Sequence, residues 1–181
     1  DGISLAQAVK ELSNSLAKKV LVARVNGEVT DLRETIVDGS TVEFFTFADQ
    51  EGKDTLRHTA SHIMAQAIQH LYPGVKFAIG PSIENGFYYD LDTEHRFTQD
   101  DFGAIEAEMA KIVKENLPIT KEILSRADAL KMFKDAGQDY KVELIQDLPE
   151  DAVISVYRQG DFYDLCAGPH CESTGRVKAF K

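Results

Sequence analysis

Two pairs of side chains in this sequence have types and spacing that could do chemistry. In "LRHTASHIMAQAI" (56–68), His58 and His62 stand four residues apart. In "DFYDLCAGPHC" (161–171), Cys166 and His170 stand four apart as well. Helical residues at i and i+4 share a face, so the first pair can converge on one point. Between the second pair, Gly and Pro favour a tight turn that would bring both side chains to the same side. Asp164 lies two before Cys166, hence on the same face of a strand. Two His with Cys and His form a ligand set that suits zinc. The set equally suits water activation, because imidazole titrates near neutrality and a neighbouring carboxylate can orient it. Roughly a hundred residues separate the pairs, unlike the ligands of a compact zinc finger, so the fold must assemble the site.

Other candidates carry less signal. Lys141 in "DYKVELI" reads as a surface lysine on its pattern alone. Tyr88 and Tyr89 read as strand neighbours, one inward and one outward, and an exposed one could stack on a base. His70 falls near the edge of an apolar face and reads as structural. His95 reads as a solvated loop residue, and Cys171 as a bystander. No GxSxG, P-loop or dinucleotide fingerprint is present, nor a carboxylate pair arranged for glycosidase chemistry.

The elements that must position these residues fall into two units. Residues 1–48 read as a small α/β unit. "LAQAVKEL" has helical spacing, "KVLVARVNGEVTDL" reads as two strands across Asn26-Gly27, and "STVEFFTF" alternates as a further strand. One helix and three strands make a thin core, consistent with a missing first strand. Residues 49–53 read as a polar linker. Residues 54–181 form the second unit, α+β with a mainly antiparallel sheet. Its most periodic helix, 54–72, carries Leu56, Ala60, Ile63, Met64, Ala67, Ile68 and Leu71 on one face, with His58 and His62 roughly opposite. Those histidines therefore face either solvent or a cleft built over the helix. A hairpin with Asn85-Gly86 at its turn follows. Next come an amphipathic helix opened by Thr98 and Asp101 as a capping box, a strand "LPITKEIL", a helix capped by Ser125, a helix "YKVELIQDL" and strands "AVISVYRQ" and "DFYDLC".

Composition sets bounds. With 181 residues and 43% apolar content, a packed core is expected and disorder is not. Two cysteines make no disulfide framework and point to a reducing compartment. No apolar run reaches a membrane span. The first residues lack a secretory pattern; without an initiator Met, the chain reads as a fragment. The formal charge of −10 argues against a chain that grips nucleic acid by itself. Lys18/Lys19, Lys111/Lys114 and Arg176/Lys178/Lys181 are scattered spots rather than a run.

"RHTASHIMAQAI", "FAIGPSIENGFYYDLD", "YKVELI" and "DFYDLCAGPH", in this order, resemble the N-terminal region of bacterial threonyl-tRNA synthetases. Upstream, "VARVNGEVTDL" and "STVEFFT" resemble a TGS domain, a ubiquitin-like fold. The HxxxH…CxGxH pair also resembles alanyl-tRNA synthetase editing domains, but the "GPSIENGFYYD" and TGS-like segments favour the threonyl family. The resemblance implies an editing hydrolase that cleaves the ester of serine mischarged onto threonine tRNA. Serine and threonine differ by one methyl group, and such a difference gives only about 1–3 kcal/mol of discrimination in a single site.

Carried across, the resemblance places His58, His62, Lys141, Asp164, Cys166 and His170 in the pocket, with Tyr89 and Gly80 near the terminal adenosine. His58 and Lys141 would position or polarise the attacking water. His170 and Asp164 would bind the seryl group and orient the network. The alanyl relatives hold zinc on the tetrad, whereas the threonyl family edits without a required cofactor; the ligands here permit either. ATP use and the core's own zinc belong to regions this chain lacks. The implied partners are tRNA(Thr), through its aminoacylated 3' end, and the rest of a synthetase, in the cytoplasm and away from membranes. The alternatives are a zinc-dependent deacylase of the alanyl type, a non-catalytic tRNA-binding module and a structural zinc knot.

Overall fold

A computed structural model describes residues 2–181. Helix α1 (Leu5–Leu12) begins at Ser4, whose side chain and that of Gln7 form a reciprocal capping box. A short α2 (Asn14–Ala17) leads into β1 (Val20–Val25), which turns through Asn26 and Gly27, both at positive φ, into β2 (Glu28–Thr30). Strand β3 (Val42–Thr46) pairs on the other edge of β1, giving an antiparallel β2-β1-β3 sheet. Leu5, Val9, Val20, Ala23 and Leu32 close the core beneath it.

The segment expected as a linker is not one. Asp49 stands at the N-cap position, its carboxylate accepting from the Thr46 N–H at 2.8 Å, and helix α3 runs Gln50–Leu71. Gly52, inside the stretch 49–53, sits in the first turn of α3 against Thr46. A Cβ there would come within 1.9 Å of the Thr46 carbonyl oxygen. Arg24 of β1 pairs with Glu51 in the same turn. The sheet thus hands the chain to the helix through packed backbone.

Helix α3 is central. Ala60, Ile63, Ala67 and Ile68 enter the largest core cluster, with Leu56, Met64 and Leu71 packed against it. The opposite side is covered too, since Thr55, Thr59, Ser61, His62 and Gln66 are all buried. The expected hairpin exists but is interrupted. β4 (Lys76–Phe77) pairs with β7 (Leu91–Asp92), and β5 (Ser82–Ile83) with β6 (Gly86–Phe87). Its turn centres on Glu84 and Asn85, one residue earlier than Asn85-Gly86, because Ile83 pairs with Gly86.

Helix α4 (Gln99–Glu115) starts with the expected Thr98–Asp101 capping box. Strand β8 (Ile119–Leu124), helices α5 (Arg126–Asp135) and α6 (Asp139–Asp147), and strands β9 (Ile154–Gln159) and β10 (Phe162–Leu165) follow. They make an antiparallel β10-β9-β8 sheet with α5 and α6 packed against it. The fold is α+β, and every strand pair described is antiparallel. Among the described residues no helix is long and apolar enough to cross a membrane.

Replacing Gly52 by Ala forces apart the β3–α3 junction. The expected outcome is a loss of about 1–3 kcal/mol, the usual cost of overpacking. Urea denaturation checks it, through a lower midpoint at an unchanged slope.

Candidate functional site

Helix α3 and the loop after β10 bring the two sequence pairs together. One ligand atom each from His58, His62, Cys166 and His170 lies within 4.8 Å of every other. The Cys166 Sγ stands 3.4 Å from His58 Nε2 and 3.2 Å from His170 Nε2. The ring centroids of His58 and His62 each lie 4.1 Å from that of His170. The turn between Cys166 and His170 works because residue 168 is glycine. It has φ +79, and a Cβ there would lie 2.1 Å from the Tyr157 hydroxyl. Its N–H donates to Cys166 Sγ at 3.2 Å.

Hydrogen bonds hold the His170 ring from both sides. Thr59 Oγ1, which also bonds the Thr55 carbonyl at 2.9 Å, stands 3.2 Å from His170 Nδ1. Nε2 on the other side of the ring faces Cys166. Thr59 went unnoticed in the sequence, although it follows His58 directly. A threonine in a helix gives no signal until its hydroxyl meets a ring from another element.

Behind the tetrad lies a second polar layer. Asp164 accepts from Lys141 Nζ at 2.6 Å and from the Tyr89 hydroxyl, and stands 3.4 Å from His62 Nε2. Lys141 Nζ also donates to the Ala78 carbonyl at 2.5 Å and to the Tyr89 hydroxyl at 3.1 Å. Lys141, which the pattern alone placed at the surface, is 2% exposed. Its helix α6 packs against β4, so the ammonium points inward. Its three protons are all committed in this arrangement. Tyr89 is the inward member of its pair and Tyr88 the exposed one. The Tyr89 hydroxyl ends in the Asp164 network rather than at an open stacking surface. Gly80 makes room for that ring, since a Cβ there would lie 2.2 Å from it, and the Gly80 carbonyl accepts from Ser61 at 2.8 Å. No buried side-chain polar atom among the described residues lacks a partner.

Burial sets the protonation. It holds His58 below the usual imidazole value, takes His62 down to about 3 and puts His170 well below normal. It pushes the Cys166 thiol up to about 12. At neutral pH the site holds three uncharged imidazoles and a protonated thiol. That thiol is a poor nucleophile, while neutral imidazoles can accept a proton or ligate a metal. The donor set fits zinc, whose tetrahedral N and S ligands bind at about 2.0–2.3 Å; binding would require Cys166 to release its proton.

The site floors a cavity of about 340 Å³ lined by His58, His62, Tyr89, Lys141, Asp164 and Cys166, with Ile79, Gly80, Pro81, Leu144 and Leu165 as walls. His58 also lines a second cavity, beside Glu51, Asp54 and Gly168. It is the half-buried member of the tetrad's histidines. The remaining candidates lie elsewhere. His70 bridges Glu108 and Asp161 at 3.0 Å each, His95 stacks on Tyr72 and pairs with Asp101, and buried Cys171 stays outside the tetrad.

Two family models match parts of the chain, a TGS domain and an additional domain of aminoacyl-tRNA synthetases. The model of the TGS domain matches residues 1–46. That of the threonyl and alanyl tRNA synthetase second additional domain matches residues 154–181, which include Cys166 and His170. Along its length the chain is similar to threonine–tRNA ligases. It is 59% identical to that of Clostridium novyi (strain NT) over 99% of this chain, and 54% identical to that of Clostridioides difficile (strain 630) over all of it. The identity to that of Syntrophomonas wolfei is 50%, again over the whole chain. The chain spans about 28% of the length of these relatives, corresponding to their N-terminal region.

The buried imidazoles tie stability to pH. His62 binds its proton near pH 3 when folded and near 6.5 when unfolded. The unfolded chain therefore takes up more protons between these values, and stability falls as pH drops through that window. Urea midpoints should decline from pH 7 to pH 4, and His62→Gln should flatten the decline by up to about 1.4 kcal/mol per pH unit.

Proposed function

We propose that this chain hydrolyses the ester between serine and the terminal ribose of mischarged Ser-tRNA(Thr). The observation that carries the reading is the His58/His62/Cys166/His170 cluster on the floor of an open cavity, backed by the buried Lys141–Asp164 pair. The similarity to threonine–tRNA ligases supports this substrate over other esters.

His58 is the residue for the water. It lines both cavities and burial keeps it neutral, so its imidazole can accept a proton. Water oxygen bonds to the ester carbonyl carbon as its proton passes to His58. The ribose oxygen then leaves and takes a proton back. His62, with its lower proton affinity, lines the pocket that takes the seryl group, while His170, buried behind Cys166, orients the tetrad. Lys141 supplies positive charge close to the developing oxyanion. It can hand a proton directly to substrate or water only by giving up the Tyr89 hydroxyl, the longest of its three bonds at 3.1 Å. Tyr89 and Gly80 shape the wall that the terminal adenosine approaches.

The chain's formal charge of −10 leaves most of the phosphate contact to other parts of a synthetase, so affinity for tRNA by this chain alone is weak. A zinc-dependent deacylase is the second reading, favoured by the convergence of four donor atoms within 4.8 Å. His58, His62, Cys166 and His170 would hold the ion, which would supply Lewis acidity.

A single-turnover assay decides between these readings. With the chain in excess over Ser-tRNA(Thr), serine should be released, with Thr-tRNA(Thr) spared by at least about tenfold. His58→Ala should slow release by about 10²–10⁴-fold, and a chelator should leave the rate unchanged. Loss of activity on chelation, restored by one equivalent of zinc, would select the metal-dependent reading. No release above background at saturating chain would overturn hydrolysis by this chain.

A further inference from the structure

Two charged residues of the N-terminal unit reach across to the site, and neither the sequence pattern nor the tetrad's chemistry assigns them a role. Asp31 directly follows β2 and is 2% exposed. Its carboxylate accepts the backbone N–H of His170 at 2.7 Å and the Tyr157 hydroxyl, and pairs with Arg33 Nη1 at 2.8 Å. Arg33 then donates Nε to the Ile119 carbonyl at 2.6 Å, Nη1 to the His170 carbonyl at 3.2 Å, and Nη2 to the Cys171 carbonyl. The two peptide units flanking His170 are therefore gripped from one direction, the N–H by Asp31 and the C=O by Arg33. The Tyr157 ring, held at its hydroxyl by Asp31, packs with its centroid 4.6 Å from the His170 ring.

We infer that Asp31 and Arg33 are positioning residues for the hydrolytic site, a clamp by which the N-terminal unit fixes His170 and the Cys166–His170 turn. This rests on the reading of the site as hydrolytic. The clamp acts on backbone, while Thr59 of α3 acts on the ring. Together they fix both where His170 stands and which nitrogen faces Cys166. An arginine is required for the carbonyl half because its planar fork serves several fixed acceptors at once, which a lysine cannot do. Ordinary cementing of the two units is provided elsewhere. Arg176 donates to the Ala17 and Val20 carbonyls, away from His170, and Lys121 pairs with Glu34 at 3.2 Å.

The test compares Asp31→Asn, Arg33→Ala, Arg33→Lys and Arg176→Ala in the complete chain, each first shown to be folded by circular dichroism and urea titration. Two readouts are taken: the single-turnover rate on Ser-tRNA(Thr) against chain concentration, and long-range proton–nitrogen NMR correlations of the His170 ring. Asp31→Asn and Arg33→Ala should lower the saturating rate about ten- to hundredfold, the effect of roughly ångström-scale misplacement, with the half-saturating concentration unchanged. Both should shift the His170 ring nitrogens, and Arg33→Lys should recover only part of either effect. Arg176→Ala should lower the urea midpoint yet leave the rate and the His170 signals as in the parent chain. Equal losses in Arg176→Ala and Arg33→Ala would reduce the clamp to general docking and overturn the proposal. Folded Asp31→Asn and Arg33→Ala chains with the parent's rate and signals would overturn it too. If the parent chain releases no serine, the hydrolytic reading fails by itself. The clamp is then judged on the His170 signals alone, which must move in the Asp31 and Arg33 variants and not in Arg176→Ala.

Discussion

The site depends on the compensation of one buried carboxylate. Asp164 sits at the end of β10, where its side chain is 4% exposed, and an unpaired charge there would be prohibitive. Four elements meet the requirement together. Helix α6 supplies the Lys141 ammonium, the loop between β6 and β7 supplies the Tyr89 hydroxyl, α3 brings His62, and β9 holds β10 in register. Removing one partner of such a pair typically costs about 3–5 kcal/mol, because the other is left buried and charged. The carboxylate thus acts as a hub that fixes the mutual placement of these elements. The tetrad's geometry follows from that placement.

The same burial selects the chemistry. A cysteine between two imidazoles could in principle be an activated nucleophile, as in thiol-dependent hydrolases. Here desolvation pushes the thiol up and the imidazoles down, so the proton stays on sulfur. What remains is a group of neutral nitrogen acceptors beside a fixed cation, suited to water or to a soft metal and unsuited to covalent catalysis. His58 differs from the other two because it lines both cavities and is only half-buried, so accessibility, rather than residue type, separates the roles of three histidines.

Local signals in the sequence match the structure where a local rule governs. The Thr98–Asp101 capping box, the Asn26-Gly27 turn and the helix carrying His58 and His62 all appear in the structure. Local patterns are ambiguous where one residue type serves two purposes. Gly52 resembled a linker glycine but permits a backbone contact with Thr46. The hairpin turn moved one residue because pairing register, which sequence leaves open, put Gly86 in the strand. Lys141 looked like a solvated lysine because no local pattern distinguishes an ammonium in water from one bonded to a carboxylate on another strand. The resemblance to a known family, rather than any pattern of its own, marked it for the site.

By itself, the sequence determined the elements, the two histidine-bearing motifs and their family likeness. These are encoded in spacing along the chain, and spacing is a local property. The tertiary structure decided which side of α3 is dry, which nitrogen of His170 faces Cys166 and that the Cys166 thiol keeps its proton. It also brought Asp31 and Arg33 to a peptide more than a hundred residues away. Those outcomes depend on desolvation and on partners from other elements. Neither quantity exists until the chain has folded and excluded water from the space between them.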